Sequence, residues 1–169
     1  MPGISIRHPD YHALLILNHI FSQAGASGRL GRRLRDTEGL PALARSQFDA
    51  NLAEGPFVVR TAVNPARVEQ AIELIRQEAH KIKELGVTEG EAASAKKALI
   101  HGFSVHLESN ESIARELLAM EFYLLGEDYL QRYQDLIGSV SLESLRNCAR
   151  TQFAFERAAL VIAGPQPKQ

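Results

Sequence analysis

The sequence has a single cysteine, no excess of either charge and no long apolar run, and each shortage excludes a class of protein. Cys148 cannot form an internal disulfide. The sequence has nineteen Lys and Arg and twenty Asp and Glu, which gives a net charge of −1. A chain with so small a net charge has no overall electrostatic field that would attract nucleic acid or anionic lipid. No apolar run approaches the roughly 20 residues that a membrane-spanning helix needs. The composition predicts one ordinary globular domain, soluble and without a membrane span.

The amino terminus lacks the basic start, apolar stretch and small-residue cleavage site of a secretory signal. After Met1-Pro2-Gly3 the sequence continues directly into a strand-like Ile4-Ser5-Ile6. Such an opening is typical of a domain whose first strands and targeting sequence lie upstream. We therefore predict one domain over 1–169, with truncation at its amino end as an open alternative. The sequence does not decide the cellular compartment.

Apolar spacing and turn residues predict two short helices followed by a strand pair. Tyr11–Phe21 is apolar almost all round, which is typical of a buried helix, and Arg29–Thr37 reads as a second, shorter helix. Leu43–Asn51 and Phe57–Val63 alternate or are β-branched, with Glu54-Gly55-Pro56 between them. These two segments are therefore predicted to pair as antiparallel strands.

The second half of the chain predicts a series of helices and a closing strand. Asn64-Pro65 opens a long helix that ends at Gly86, and Thr88 with Glu91 forms a capping box at the start of the next. The remaining signals are caps at Ser109 and Ser141, a helical apolar spacing at Leu130, Tyr133 and Ile137, and an apolar strand over Ala158–Ala163. This order predicts an α+β fold in which helices pack on one face of a small, mostly antiparallel sheet. An open sheet edge would need to be covered by upstream residues or by a second copy of the chain.

This order of short motifs resembles the second-type, carboxyl-half domain of the pitrilysin/insulinase family of zinc metallopeptidases. The matching stretches cover nearly the whole chain: Pro9–Leu14, Ser27–Leu30, Leu34–Leu40, Val87–Glu91, Ala95–Lys97 and Val161–Pro165. The resemblance implies a clamshell of two halves around a peptide chamber, with zinc held by the partner half. It also implies a bacterial periplasmic or organellar location.

Catalysis in that family requires a helix with His-x-x-Glu-His, in which two imidazoles bind zinc and the carboxylate activates water. The sequence contains no such motif. Pro9 lies between His8 and His12, so these two are not expected to share a helix face, and His12 with His19 has no nearby carboxylate or thiolate to complete a site. Cys148 lies on an apolar helix face and is predicted to be inert. We predict no catalytic residue, no metal ligand and no cofactor in this chain.

Arg29, Arg32, Arg33 and Arg35 form the one basic cluster of the sequence, for which a solvated helix face is the simplest interpretation. No aromatic residue is interleaved for base stacking, so a nucleic-acid partner is not expected. In the family that the chain resembles, the Arg that matches Arg35 contacts the substrate together with a Tyr seven residues later. Here Ala42 occupies that later position, which favours a degenerate, non-catalytic member.

Two hypotheses follow from these observations. In the first, the chain is the non-catalytic half of a peptidase, forms the chamber wall opposite a zinc-bearing half and contacts peptide through Arg35. In the second, it is a structural scaffold subunit without a peptidase role, like those that the family contributes to respiratory complexes. The sequence leaves substrate and oligomeric state open, including a homodimer.

Overall fold

A computed structural model describes residues 1–23, 28–34 and 44–164 of the chain. Within these residues the order is two short helices, a strand pair and five longer helices. The helices are α1 Tyr11–Asn18, α2 Arg29–Arg32, α3 Val68–Leu85, α4 Glu89–His106, α5 Asn110–Tyr123, α6 Tyr129–Gly138 and α7 Leu142–Gln152, and the strands are β1 Arg45–Phe48 and β2 Phe57–Arg60. A π-helical turn, His19–Gln23, extends α1, and 3₁₀ turns lie at Pro65–Arg67 and Phe155–Arg157. The α+β class is confirmed.

The predicted strand pair is present and antiparallel, with Arg45 opposite Arg60 and Phe48 opposite Phe57. An isolated bridge between Pro2 and Pro56 adds the amino terminus to the other side of β2. The strands stop where the alternation of the sequence gives way to the polar and glycine-containing connection that includes Gly55. The sheet is small and antiparallel, as predicted.

Helix starts follow the capping signals of the sequence. The Thr88 hydroxyl accepts from the Glu91 amide, and the Glu91 carboxylate accepts from the Thr88 amide, which completes the predicted capping box. Ser109 and Ser141 cap α5 and α7 through the amides three residues later. Gly86 ends α3 with a φ of 73°, a conformation that L side chains rarely adopt.

The core is formed where α1 packs against α7 and α4, and where α3 packs against α7. Leu14, Ile16 and Leu17 of α1 are fully buried, which explains why this helix is apolar almost all round. Phe153, at the end of α7, contacts Phe21 and Phe57 with ring centroids 5.4 and 5.5 Å apart. These rings join the helical layer to the inner face of the sheet.

A buried polar chain also fixes β1 against the turn that follows α1. The Ser22 hydroxyl donates to the Ser46 hydroxyl at 2.7 Å, and the Ser46 hydroxyl donates to the Asn18 side-chain oxygen. The Ser46 amide donates to the Ser22 hydroxyl. All three residues are buried, so each of these polar groups is satisfied without water.

One strand prediction is wrong. Ala158–Ala163, which follows the Phe155–Arg157 turn, forms no strand, and the strand-like Ile4–Ile6 is not a strand either. A strand needs a hydrogen-bonded neighbour, and among the described residues none lies beside Ala158–Ala163. Its apolar side chains are instead open to solvent, with Val161 87% exposed. Of the helices that the structure describes, none combines the length and the apolar character that crossing a bilayer requires.

Candidate functional site

The predicted substrate contact, Arg35, lies outside the described residues, as does Ala42. The glycine-containing turn before them is described only from Gly28 onward. The helix that leads toward Arg35 is α2, and its surroundings are therefore the candidate site. The prediction for Arg35 stays a prediction.

A cavity of about 400 Å³ lies where the π-helical turn and α2 face the first turns of α4. Its polar lining groups are the imidazole of His19, the exposed guanidinium of Arg32 and the Glu91 carboxylate. Small residues form much of the remaining wall: Gly28, Gly90, Ser94, Ala95 and Ala98. These small side chains leave room beside the first turns of α4.

One wall of the cavity is fixed by a bidentate ion pair between Arg29 and Glu91. The Arg29 Nε and Nη2 atoms donate to the two carboxylate oxygens of Glu91, both at 2.6 Å. Arg29 Nη2 also donates to the Gly86 carbonyl at 3.2 Å, and its Nη1 lies 4.0 Å from a Glu78 oxygen. The pair therefore ties α2 to the ends of both α3 and α4.

The environment of Glu91 favours its charged form strongly. The hydrogen bond from Arg29, with smaller contributions from the Thr88 amide and hydroxyl, lowers the pKa of Glu91 from 4.5 to about 2, against the opposing effect of burial. The same hydrogen bond raises the pKa of Arg29 above its ordinary value. Both groups are thus charged at neutral pH and are hydrogen-bonded to each other, so the Glu91 carboxylate has a structural role.

Arg29 differs from the solvated helix face that the basic cluster predicts. Its side chain is only 16% exposed, whereas Arg32 on the same helix is exposed. Arg29 and Glu91 are 62 residues apart, so their contact depends on the tertiary fold. The capping box marked Glu91 as a structural residue, but no local signal marked its partner.

The histidines are dispersed, and the structure describes all six. His8 precedes α1, as predicted, and its Nδ1 accepts from the Asp10 amide. His12 Nε2 lies 3.5 Å from the Tyr129 hydroxyl. Burial lowers the pKa of both His12 and His19, with Arg132 adding to the effect at His12, so both rings are neutral at pH 7. Among residues 1–23, 28–34 and 44–164, no three His, Cys, Asp or Glu side chains are grouped closely enough to hold a metal ion.

Cys148 is fully buried on α7, as predicted, and burial raises the pKa of its thiol to about 12. The thiol is therefore protonated at neutral pH, whereas a nucleophilic cysteine needs a thiolate. The polar side chains that remain available in the cavity are the Arg32 guanidinium and the neutral imidazole of His19. Such groups suit the binding of a polar or peptide-like ligand.

Comparison with known proteins places this architecture among peptidase relatives. The chain is 27% identical, over 97% of its length, to an uncharacterized zinc protease of Mycobacterium leprae, of which it covers 36%. The crystal structure of a peptidase M16 inactive domain from Pseudomonas fluorescens superposes with a TM-score of 0.81 at 28% identity, covering 89% of this chain and 36% of that one. The chain thus spans about a third of the length of these relatives.

More distant structures share the fold. A chain of complex III2 from Candida albicans matches with a TM-score of 0.74 at 12% identity, covering 89% of this chain and 38% of that one. The periplasmic protease PqqL of Escherichia coli matches with a TM-score of 0.70 at 13% identity, covering 89% and 17%. The family model described as the peptidase M16 inactive domain matches residues 1–99, more than half of the sequence. The chain therefore belongs to the peptidase M16 inactive-domain family.

Proposed function

We propose that this chain is the non-catalytic half of a zinc metallopeptidase and forms the wall of a peptide chamber opposite a zinc-bearing half. The observation that carries the proposal is its family membership, joined to a chain-wide match with one third of a zinc protease. A domain of this kind acts by containment and positioning. The metal and the water-activating carboxylate come from the partner.

The cavity beside α2 supports a role in contacting peptide. It presents the Arg32 guanidinium and the neutral His19 ring on a wall that Arg29 and Glu91 hold rigid. Arg35 follows three residues after Arg32. We propose that Arg35 donates to a substrate carbonyl, because a guanidinium can hold a carbonyl or a developing oxyanion with parallel hydrogen bonds. A periplasmic location belongs to the same proposal, in line with the location of PqqL.

The experiment that tests the first part is affinity purification of the tagged chain from its source cells, followed by mass spectrometry and metal analysis. We expect a partner, or a longer polypeptide containing this chain, with His-x-x-Glu-His and one zinc per assembly, and cleavage of a quenched fluorescent peptide library by that assembly. Stoichiometric zinc and peptide cleavage by the 169-residue chain alone would contradict the proposal.

The Arg35 contact is tested in the active assembly. Because hydrogen bonds to charged groups contribute about 1.5–3 kcal/mol, Arg35→Ala should lower kcat/KM roughly 10- to 100-fold. Arg35→Lys should recover part of the loss, and Arg150→Ala, an exposed position on α7, serves as the matched control. If Arg35→Ala and Arg150→Ala have equal activity, Arg35 is a surface charge and the chamber-wall proposal stands without it.

A scaffold role is the second candidate, and the likeness to a chain of complex III2 favours it. That likeness shows that the same fold also occurs in a chain of complex III2. The two candidates differ in their partners. Purification of a stable assembly without any zinc peptidase would support the scaffold and exclude the chamber wall.

A further inference from the structure

An apolar groove separates β2 from the closing segment of the chain. One side is formed by residues 58–63, the other by residues 158–163, and Ile72 and Ile75 of α3 form part of its floor. Two adjoining cavities of about 560 and 200 Å³ make up this groove, and both include Val58, Val59 and Leu160 in their lining. We refer to it as the closing-segment groove.

Among the described residues, only the amino-terminal segment pairs with the edge of β2 that faces away from β1. The Asp49 amide donates to the Pro56 carbonyl at 3.0 Å, so hydrogen-bonded pairs of β1 and β2 alternate from that point, and Phe57 and Val59 direct their amides and carbonyls outward. The hydrogen bonds of Ser46, which lies opposite Val59, support this register. The Ser46 amide donates to Ser22 and therefore points away from β2. The Val59 backbone therefore presents a donor and an acceptor at the open edge.

The amino terminus already occupies the start of that edge. The Phe57 amide donates to the Met1 carbonyl at 2.9 Å, the Met1 amino group donates to the Phe57 carbonyl at 3.1 Å, and the Gly3 amide donates to the Gly55 carbonyl at 2.7 Å. This is an antiparallel pairing centred on Pro2 and Pro56. If the same register continues, residues that precede Met1 lie beside β2 and enter the closing-segment groove.

The pairing also fixes which side chains of such a strand would face inward. The second residue before Met1 would lie opposite Val59 and the fourth opposite Thr61, on the face where Phe57 is buried. Because Phe57 is buried on this face and Val59 is apolar, alternate positions of the strand should be apolar.

The opposite wall has the composition of a strand that is covered on both sides. Ala158–Ala163 is a continuous apolar run, typical of a central strand, yet Leu160 is 54% and Ile162 58% exposed. With a strand in the groove, this segment would gain a hydrogen-bonded neighbour and become part of the sheet. The sequence-based prediction of a closing strand would then hold in the filled state.

We propose that the closing-segment groove receives one β-strand, antiparallel to β2, and that this strand is the segment joined to the amino side of Met1 in a longer polypeptide. Continuity with the existing Met1–Phe57 hydrogen bonds argues for this occupant over a second copy or a separate peptide. The chain spans 36% of its curated relative, so a longer polypeptide has ample length to supply the strand. This inference does not depend on the proposed function.

The test adds six residues directly before Met1. In the matched extension, Val-Thr-Val-Thr-Val-Thr, valine occupies the second, fourth and sixth positions before Met1. The control extension, Thr-Val-Thr-Val-Thr-Val, has the same composition shifted by one residue, which turns every side chain to the opposite face. Amide hydrogen exchange of Val59 and Thr61, whose amides the register directs toward the groove, is measured by NMR in the 169-residue chain and in both extended chains.

We expect the matched extension to slow exchange at these amides at least tenfold and to raise the thermal midpoint, and the control extension to do neither. Equal exchange in all three chains, with the helical circular dichroism unchanged, would overturn the proposal. Protection by the same hexapeptide added separately, or protection of the unextended chain that rises with dimer formation, would overturn the assigned source. If the matched chain folds poorly, a variant of the matched extension with Asp at the fourth position before Met1 provides the second comparison. Equal stability of the matched extension and this Asp variant also contradicts the proposal.

Discussion

At the scale of single residues, the contact between Arg29 and Glu91 connects a helix start to a segment far away in sequence. Both carboxylate oxygens of Glu91 accept from Arg29, and one of them also accepts from the amide and hydroxyl of Thr88. The carboxylate thus caps α4 and holds α2 at the same time. Removing its charge should weaken both functions together.

We expect Glu91→Gln to lower the free energy of unfolding at pH 7 by about 1–3 kcal/mol, the range for hydrogen bonds to a charged group at a partly exposed site. Because the folded-state pKa is about 2 and the ordinary value is 4.5, the contribution of the carboxylate is present above pH 4.5 and is lost as the pH falls toward 2. Urea titrations at pH 7 and pH 3 measure the difference.

Glu89→Gln is the matched control, since Glu89 also lies in the first turn of α4 but is exposed. This variant should change stability by no more than about 0.5 kcal/mol. A Glu91→Gln difference that is equal at pH 7 and pH 3, or no larger than that of Glu89→Gln, would contradict the assigned role.

Single-residue roles were predictable where their cause is local. The string from Thr88 to Glu91 predicts a capping box because its partners are three residues apart. The partner of Arg29 could not be predicted, because the contact forms only when α2 and α4 come together. Burial of Cys148 was predictable from the apolar face of its helix, whereas the role of Arg35 rests on resemblance.

At the scale of elements, the helices were predicted better than the sheet. Ser141 and Gly86 mark helix ends through caps and backbone conformation, which act within a few residues. The strand pair was predictable for a related reason, since its two strands adjoin one short connection. The prediction of a strand over Ala158–Ala163 was wrong because a strand requires a hydrogen-bonded neighbour, and the described residues supply none.

Ser141→Ala should reduce the free energy of unfolding by about 1 kcal/mol, because the Ser141 hydroxyl accepts from the first-turn amide of Ser144 at 3.0 Å and alanine cannot. Ser104→Ala is the control, because Ser104 is an exposed position of α4 and its hydroxyl donates only to the carbonyl four residues before it. That control should be neutral or slightly stabilising, since alanine favours a helix interior. Equal midpoints in urea for the two variants would refute the capping role.

At the scale of the whole molecule, stability depends on the aromatic contacts that join the sheet to the helices. Phe153 is 1% exposed and lies between Phe21, which follows α1, and Phe57 of β2. Its loss would open a cavity at the point where the layers meet. A substitution there should therefore weaken the entire fold rather than one element.

Phe153→Ala should cost about 3–5 kcal/mol, a large part of the 5–15 kcal/mol typical of a folded domain. Phe122→Ala makes the same chemical change on α5, where the ring is 57% exposed, and should cost far less. Thermal unfolding followed by circular dichroism and by tyrosine fluorescence measures both variants. A Phe153→Ala midpoint equal to that of Phe122→Ala, or probes that melt separately, would show that the layers are stabilised independently.

The polar chain of Asn18, Ser22 and Ser46 has a consequence for how the chain finds its native pairing. Two strands of four residues could slide past each other at little cost if only backbone bonds held them. A slip of one residue would bring Arg45 or Gln47 to the buried position of Ser46 and leave the hydroxyl of Ser22 unpaired. These hydrogen bonds therefore make the native register more stable than a hairpin shifted by one residue.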